Sequence, residues 1–346
     1  MKKYFSTVLC SKGYCCAFNT IYKKDPTAKV YIVNGDDYER SVFFCHLKSI
    51  LKSFELTLFN PFYDDSTDGI YIENLNTYIL SDGGYNKISP ILSGIWEKHI
   101  DINKNKNYPT DVLRQVLIHK SVESQHYRNA CIALKKASLI KERLHSELSL
   151  YLDEDKTVNF VHGFSSRELK NSAKRGKGEI RLLSSPTPLG FHAHYDTIFE
   201  NYKRIINIVD ETSFVGSVIL SVIKNYALKQ RIEIIGSPAY FSNNFFQFIL
   251  FPESRICLCV SDNIYSLPFS SHETINASRF LKNKNDLKSK KIEILLSVEK
   301  NLLEKAILHI YEGRDERFKY NNITNDYSRP ESAKKAAESI ADKILN

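Results

Sequence analysis

Short β-branched runs alternate along the chain with polar turns and with stretches whose apolar residues recur every three or four positions. Residues 29–33, with Val30, Tyr31, Ile32 and Val33, predict a core strand, and 34–38 predict its polar turn. In 41–53, Val42, Phe43, Leu47, Ile50 and Leu51 keep helical spacing. Residues 56–59 read as a second strand stopped by Asn60-Pro61. Residues 70–72 and 77–80 are two more, the latter ending at Ser81-Asp82-Gly83-Gly84. This alternation predicts an α/β fold with mainly parallel sheets flanked by helices. A change of texture follows. Tyr127, Ala130, Cys131, Leu134, Ala137, Ile140, Leu144, Leu148 and Tyr151 mark an amphipathic helical arm within 109–152.

Much of the pattern occurs twice. Ser41-Val42 and Ser217-Val218 lie 176 positions apart, and at the same shift Val33 falls on Val209, Asn34 on Asp210 and Tyr38 on Phe214. One position further, Gly13-Tyr14 meets Gly190-Phe191, Phe18-Asn19-Thr20-Ile21 meets Tyr195-Asp196-Thr197-Ile198, and Pro61 meets Pro238. Ser81-Asp82 meets Ser261-Asp262 at a shift of 180. A repeat of this length predicts two tandem domains of one fold rather than a short-period solenoid. The first spans 1–152 and includes the arm. Residues 153–179, rich in Ser, Lys, Arg and Gly, read as a linker that buries no core. The second spans 180–346, with strands at 205–209, 232–235 and 256–260 and a helix at 215–227. Helical material is expected over 273–309, with a lysine-rich interruption at 282–291, and a last helix opens at Arg329-Pro330-Glu331.

Composition narrows the class only a little. The 346 residues are 42% hydrophobic and 25% charged, as in an ordinary soluble globular protein. A net charge of +8 allows an acidic partner or a nucleotide but requires neither. The basic stretch 167–181 could meet phosphates, yet it has no aromatic residue to stack on bases, so nucleic acid is not expected as a partner. The seven cysteines form no C-x-x-C pair. Cys45, Cys131, Cys257 and Cys259 lie in apolar runs as small buried hydrophobes, which suits a reducing, cytoplasmic setting. The apolar run after Lys2-Lys3 is too brief for a secretion signal, and the uncharged window 234–252 holds Gly, Pro, Asn and Gln, so no membrane span is expected. His192 and His194 alternate as on a strand face, and without an acidic or cysteine cluster beyond Asp196 they read as structural.

Strand, turn and a helix beginning with serine form the context of a phosphate-binding loop, G-x-x-x-x-G-K-[ST], whose backbone N–H groups cup phosphates while the lysine offsets charge and the hydroxyl holds Mg²⁺. With Ser41 and Ser217 at the hydroxyl position, the first glycine becomes Asn34 or Asp210, the second Glu39 or Val215, and the lysine Arg40 or Gly216. The motif is absent from both copies, and Asp36, Asp37, Asp210 and Glu211 would face the phosphates. The framework nevertheless resembles the tandem P-loop ATPase-like proteins found notably in spore-forming bacteria. That likeness is carried by Gly190 with Tyr195-Asp196-Thr197-Ile198, by 232–238 with its proline stop, and by Asp82-Gly83. The resemblance implies two P-loop NTPase-like domains, a link to sporulation, and ATP with magnesium as the candidate ligand. The nucleotide-binding candidates are then Gly35, Arg40, Ser41 and Asp82 in the first copy and Ser217 and Asp262 in the second. With both loops degenerate, the expectation is a protein without ordinary ATP hydrolysis, a binding or scaffolding partner that uses the arms 109–152 and 273–309. The alternative is an NTPase with an altered loop built on Arg40, Ser41 and Asp82. No catalytic residue and no metal ligand is assigned.

Overall fold

A computed structural model of the chain describes residues 1–102, 108–169, 178–239, 242–268, 270–283 and 289–345. Two six-stranded sheets dominate. The first is built from β1 (Lys2–Phe5), β4 (Lys29–Asn34), β5 (Leu56–Asn60), β6 (Gly69–Ile72), β7 (Thr77–Ser81) and β8 (Glu97–Asp101), in the spatial order β1-β5-β6-β7-β4-β8. The second uses β9 (Gly178–Ile180), β12 (Arg204–Val209), β13 (Ile234–Ala239), β14 (Ser242–Phe251), β15 (Ile256–Ser261) and β16 (Glu273–Asn276), in the order β9-β13-β14-β15-β12-β16. The two orders correspond strand for strand, and so does the sense of every pairing: parallel, antiparallel, antiparallel, parallel, parallel. The sequence repeat is therefore a repeat of fold.

The same correspondence runs through the smaller elements. Hairpin β2 (Thr7–Cys10)–β3 (Gly13–Cys16) matches β10 (Ser184–Thr187)–β11 (Gly190–Ala193). They turn at Gly13 and Gly190, both with positive φ, where a side chain would be strained. Short helices α1 (Phe18–Ile21) and α5 (Tyr195–Asn201) follow. Helix α2 (Asp37–Ile50) after β4 matches α6 (Phe214–Lys229) after β12. The long helices α3 (Thr110–Ser149) and α7 (Lys290–Asn325) end the two copies, and each is followed by a shorter one, α4 (Glu154–Glu168) or α8 (Pro330–Leu345).

Each sheet is mixed, mainly parallel with a single reversed strand, β6 or β14. Three expectations need correction. Residues 153–169 are not a linker. Asp153 caps α4 by accepting from the Lys156 N–H, and Val161 and Phe164 are buried against the α6 side of the second sheet. Their 3-residue spacing is a helix face that the polar residues between them obscure. The rest of the expected linker, 170–177, lies outside the described residues. Residues 273–276 form an edge strand on β12 instead of helix, and α7 begins only at Lys290. Cys45 is exposed and Cys131 half-buried, while Cys257 and Cys259 are buried as expected.

The two copies share a core. Phe18, Tyr22, Phe59 and Leu80 of the first pack in one cluster with Leu183, Ile198, Ile205 and Leu250 of the second, and with Tyr127 of α3 and Ile310 of α7. The outer face of each sheet is covered by its own helix and by a helix from the other copy. Helix α8, from the second copy, packs on α2 of the first, and α4, from the first, packs on α6 of the second. Helices α3 and α7 lie antiparallel along each other between the copies. Among the described residues, no helix is long and apolar enough to cross a membrane.

Candidate functional site

Parallel neighbours β7, β4 and β8 end together on one edge, the place where open α/β sheets form crevices. A cleft of about 650 Å³ opens there, lined by Gly35 after β4, Arg40 in α2, Gly83 and Tyr85 after β7, and Lys120 and Arg317 from the long helices. Tyr14 and Tyr85 stack in its wall with ring centroids 4.4 Å apart. Exposed Lys87 and Lys120 stand at its rim.

The base of the cleft is a network of buried charges. Arg40 donates Nη1–H to the Gly35 carbonyl at 2.6 Å and Nη2–H to the Asp37 carboxylate. Its guanidinium lies against Gly83, with Nη1 so close that a Cβ there would overlap it. Arg317 meets Asp37 at 2.6 Å and Glu123 at 2.9 Å, donates to Tyr63 Oη at 3.0 Å, and stacks on the Tyr63 ring at 4.0 Å. Burial pushes the Asp37 carboxyl up, but the Arg317 and Arg40 charges outweigh it and hold it below its usual range. For Glu123 burial wins over Arg317 and the carboxyl is raised. Asp36, just before α2, accepts from Tyr108 Oη at 2.6 Å. The opening of α2 is thus occupied by the chain's own carboxylates.

The second copy fills the same place differently. Asp210 accepts the Gly216 N–H at 2.9 Å, the Thr212 N–H at 3.0 Å and the Thr212 hydroxyl at 2.7 Å, and is buried. Burial raises its carboxyl, and those donors pull it back. A side-chain carboxylate therefore sits at the N-terminus of α6, on donors that would otherwise cup an anion. Beside it, Ser213, in a left-handed conformation, donates to Asp262.

The candidate residues fall into separate groups. Gly35 and Arg40 line the cleft together. Ser41 faces an adjoining pocket with Asp64 and Asp68, on the far side of Arg40. Asp82 accepts the Ile88 N–H at 3.1 Å and so ties down the turn after β7. Ser217 is buried in α6, and Asp262 also accepts from the Ile264 and Tyr265 N–H groups at 2.8 and 2.7 Å. His192 and His194 pack around Phe5, the latter at 4.3 Å between centroids.

Asp37 was read only as an acid facing the phosphates, and Glu123, Tyr63 and Arg317 escaped the sequence reading, although a signal was present for Glu123 and Arg317. At the shift of 176, Glu123 falls on Glu299 and Lys141 on Arg317. In the structure Lys141 and Glu299 pair at 2.9 Å, both essentially inaccessible, as the counterpart of Arg317 and Glu123. No family model, curated protein or solved structure matches this chain.

Proposed function

We propose that the chain is a P-loop-derived pair of domains that has lost ordinary nucleotide hydrolysis and serves as a binding or scaffolding protein. One observation carries this reading: at the N-terminus of the helix after each central strand, side-chain carboxylates stand where a nucleotide's phosphates would be received. Asp210 takes the Gly216 and Thr212 donors, and Asp37 takes both buried guanidinium groups. In the first copy the two guanidinium groups are already engaged by Asp37, and in the second a phosphate would have to displace a bonded carboxylate. The outer faces of α3 and α7 fit a scaffolding role, for Leu113, Leu117, Ile118 and Val122 on one and Leu308, Tyr311 and Phe318 on the other are exposed. Helices α3 and α7 also hold the two copies together, so only these outer faces are left for a partner. The reading is tested by ATP turnover with Mg²⁺ on the purified chain. None is expected; turnover that disappears in Asp82→Ala would end the proposal.

A second reading rests on the cleft itself. Its size suits a small ligand, and the Tyr14–Tyr85 wall with the Lys87 and Lys120 rim suits one that is aromatic and anionic, such as a nucleotide. Calorimetry with ATP, with and without Mg²⁺, separates the two readings. Micromolar binding would favour a retained nucleotide site, and an Arg40→Ala chain that binds ATP unchanged would remove Arg40 from it.

A further inference from the structure

Away from both edges just described, three side chains converge across the α3–α7 seam. His126 stands on α3, and His309 and Glu312 stand on one face of α7, three residues apart. The Nδ1 atoms of both imidazoles approach the same carboxylate oxygen, Glu312 Oε2, at 2.9 and 3.0 Å, and the rings lie 5.8 Å apart. One ligating atom from each of the three lies within 4.8 Å of the others. The group is partly exposed, at 26%, 18% and 39% for His126, His309 and Glu312.

We propose that His126, His309 and Glu312 bind one divalent transition-metal ion of the zinc class, cross-linking the two copies through their long helices. Two imidazole nitrogens and one carboxylate oxygen form a donor set that suits zinc, and partial exposure leaves a fourth position to water. With bonds of about 2.0–2.2 Å, ligand atoms around a tetrahedral zinc stand roughly 3.4 Å apart. The two imidazole–carboxylate separations, 2.9 and 3.0 Å, are slightly shorter than that value and all three ligating atoms lie within 4.8 Å of one another, so small side-chain rotations bring the three onto an ion. The fold repeat fixes the stoichiometry. At the shift of 176 the equivalents of His126, His309 and Glu312 are Leu302, Ala133 and Lys136, which offer no matching set, so the repeat does not duplicate the site and it occurs once among the described residues. Lys136 and Lys305 line the adjoining hollow with His309 and oppose the ion's charge, which places the affinity below that of a closed structural site.

The test uses the full chain, stripped with chelator and titrated with Zn²⁺ and, separately, with Co²⁺. One equivalent of each is expected, with a rise in melting temperature for zinc and the visible bands of tetrahedral cobalt bound by nitrogen and oxygen. His126→Ala, His309→Ala and Glu312→Gln should each weaken uptake at least tenfold. His119→Ala should leave it unchanged, because His119 with Glu316, at 2.7 Å, is a two-residue pair elsewhere on the same seam. Circular dichroism establishes that each variant is folded, and His126→Gln replaces any alanine variant that is not. Absence of uptake by the wild-type chain at millimolar metal would overturn the proposal. So would uptake that survives His126→Ala, or a cobalt spectrum with thiolate charge-transfer bands, which would move the ion to the cysteines.

Discussion

The buried pair Lys141–Glu299 offers the sharpest test of how the two copies are held together. Its atoms stand 2.9 Å apart and the side chains are 1% and 2% exposed, one on each long helix. Lys141→Met removes a cation and leaves a carboxylate in the seam, away from water. Breaking a buried pair in this way costs about 3–5 kcal/mol, whereas replacing both members by apolar residues of similar volume is often neutral or better. With an unfolding entropy of about 2.1 cal/mol/K per residue, that loss lowers the melting temperature of a chain this long by roughly 4–7 °C. The assay is a double-mutant cycle of Lys141→Met, Glu299→Leu and the double variant, followed by calorimetric and urea unfolding. The double variant should recover most of the loss, giving a coupling of about 3 kcal/mol. The exposed pair Glu147–Lys291 on the same helices is the control, and Glu147→Ala should cost no more than about 1 kcal/mol. If Lys141→Met also costs less than about 1 kcal/mol, or if the double variant is as unstable as the worse single one, the seam does not depend on this pair and the reasoning fails.

Asp210→Ala should turn the start of α6 into an anion site. The Gly216 and Thr212 N–H groups lose their acceptor, at a cost of about 1–3 kcal/mol, and millimolar inorganic phosphate should restore part of the melting temperature in the variant but not in the wild-type chain. A variant indifferent to phosphate would show that these donors do not form a receptive nest. Asp68 sets a pH dependence. Burial pushes its carboxyl up to about 6, with Arg40 opposing and Asp64 reinforcing the shift. The folded chain therefore holds this proton more tightly than the unfolded one. The resulting stability is full below about pH 4 and disappears as pH rises through about 6, a change of at most about 3 kcal/mol. Asp68→Asn keeps an acceptor for Ser6 and a neighbour for Asn86, and should remove this component from the stability profile between pH 4 and 7. A difference between wild type and variant that stays flat across that window would contradict the assignment.

What the sequence disclosed followed the physics of each element. Strands β4, β7, β12 and β15 are buried on both faces, so they read as mostly apolar runs rich in Ile and Val that stand out from their surroundings. The edge strands β8 and β16 did not, because Glu97, Lys98, His99 and Glu273, Thr274 carry no such run and pair along one side only. Helix α4 was hidden by its company. Val161 and Phe164 are apolar enough to pack on α6, yet they stand among Lys, Glu, Ser and Asn, and the surface they cover belongs to the other copy. Pattern along one segment cannot reveal a partner 50 residues away.

The charges show the same limit and a way past it. Glu123 and Lys141 look like solvated helix residues when α3 is read alone, and Glu299 and Arg317 look the same on α7. Laid over one another at the repeat distance, they become an acid and a base 18 residues apart, present in both copies. Two antiparallel helices related by a repeat must place each acid opposite the other copy's base, and that is where the structure puts them. The symmetry is broken only at the base. Lys141 reaches Glu299 as a compact ammonium, while the fork of Arg317 continues past Glu123 to Asp37 and Tyr63 and forms the floor of the open cleft. The cleft at the first copy's sheet edge is therefore floored by an arginine reaching in from the second copy, whereas at the matching helix start of the second copy the donors are taken by Asp210. On this argument Arg317→Lys would preserve the seam pair with Glu123 but loosen Asp37 and the cleft floor. It should lower affinity for any anionic ligand of the cleft while costing less stability than Arg317→Met, and equal losses from the two variants would refute the division of labour.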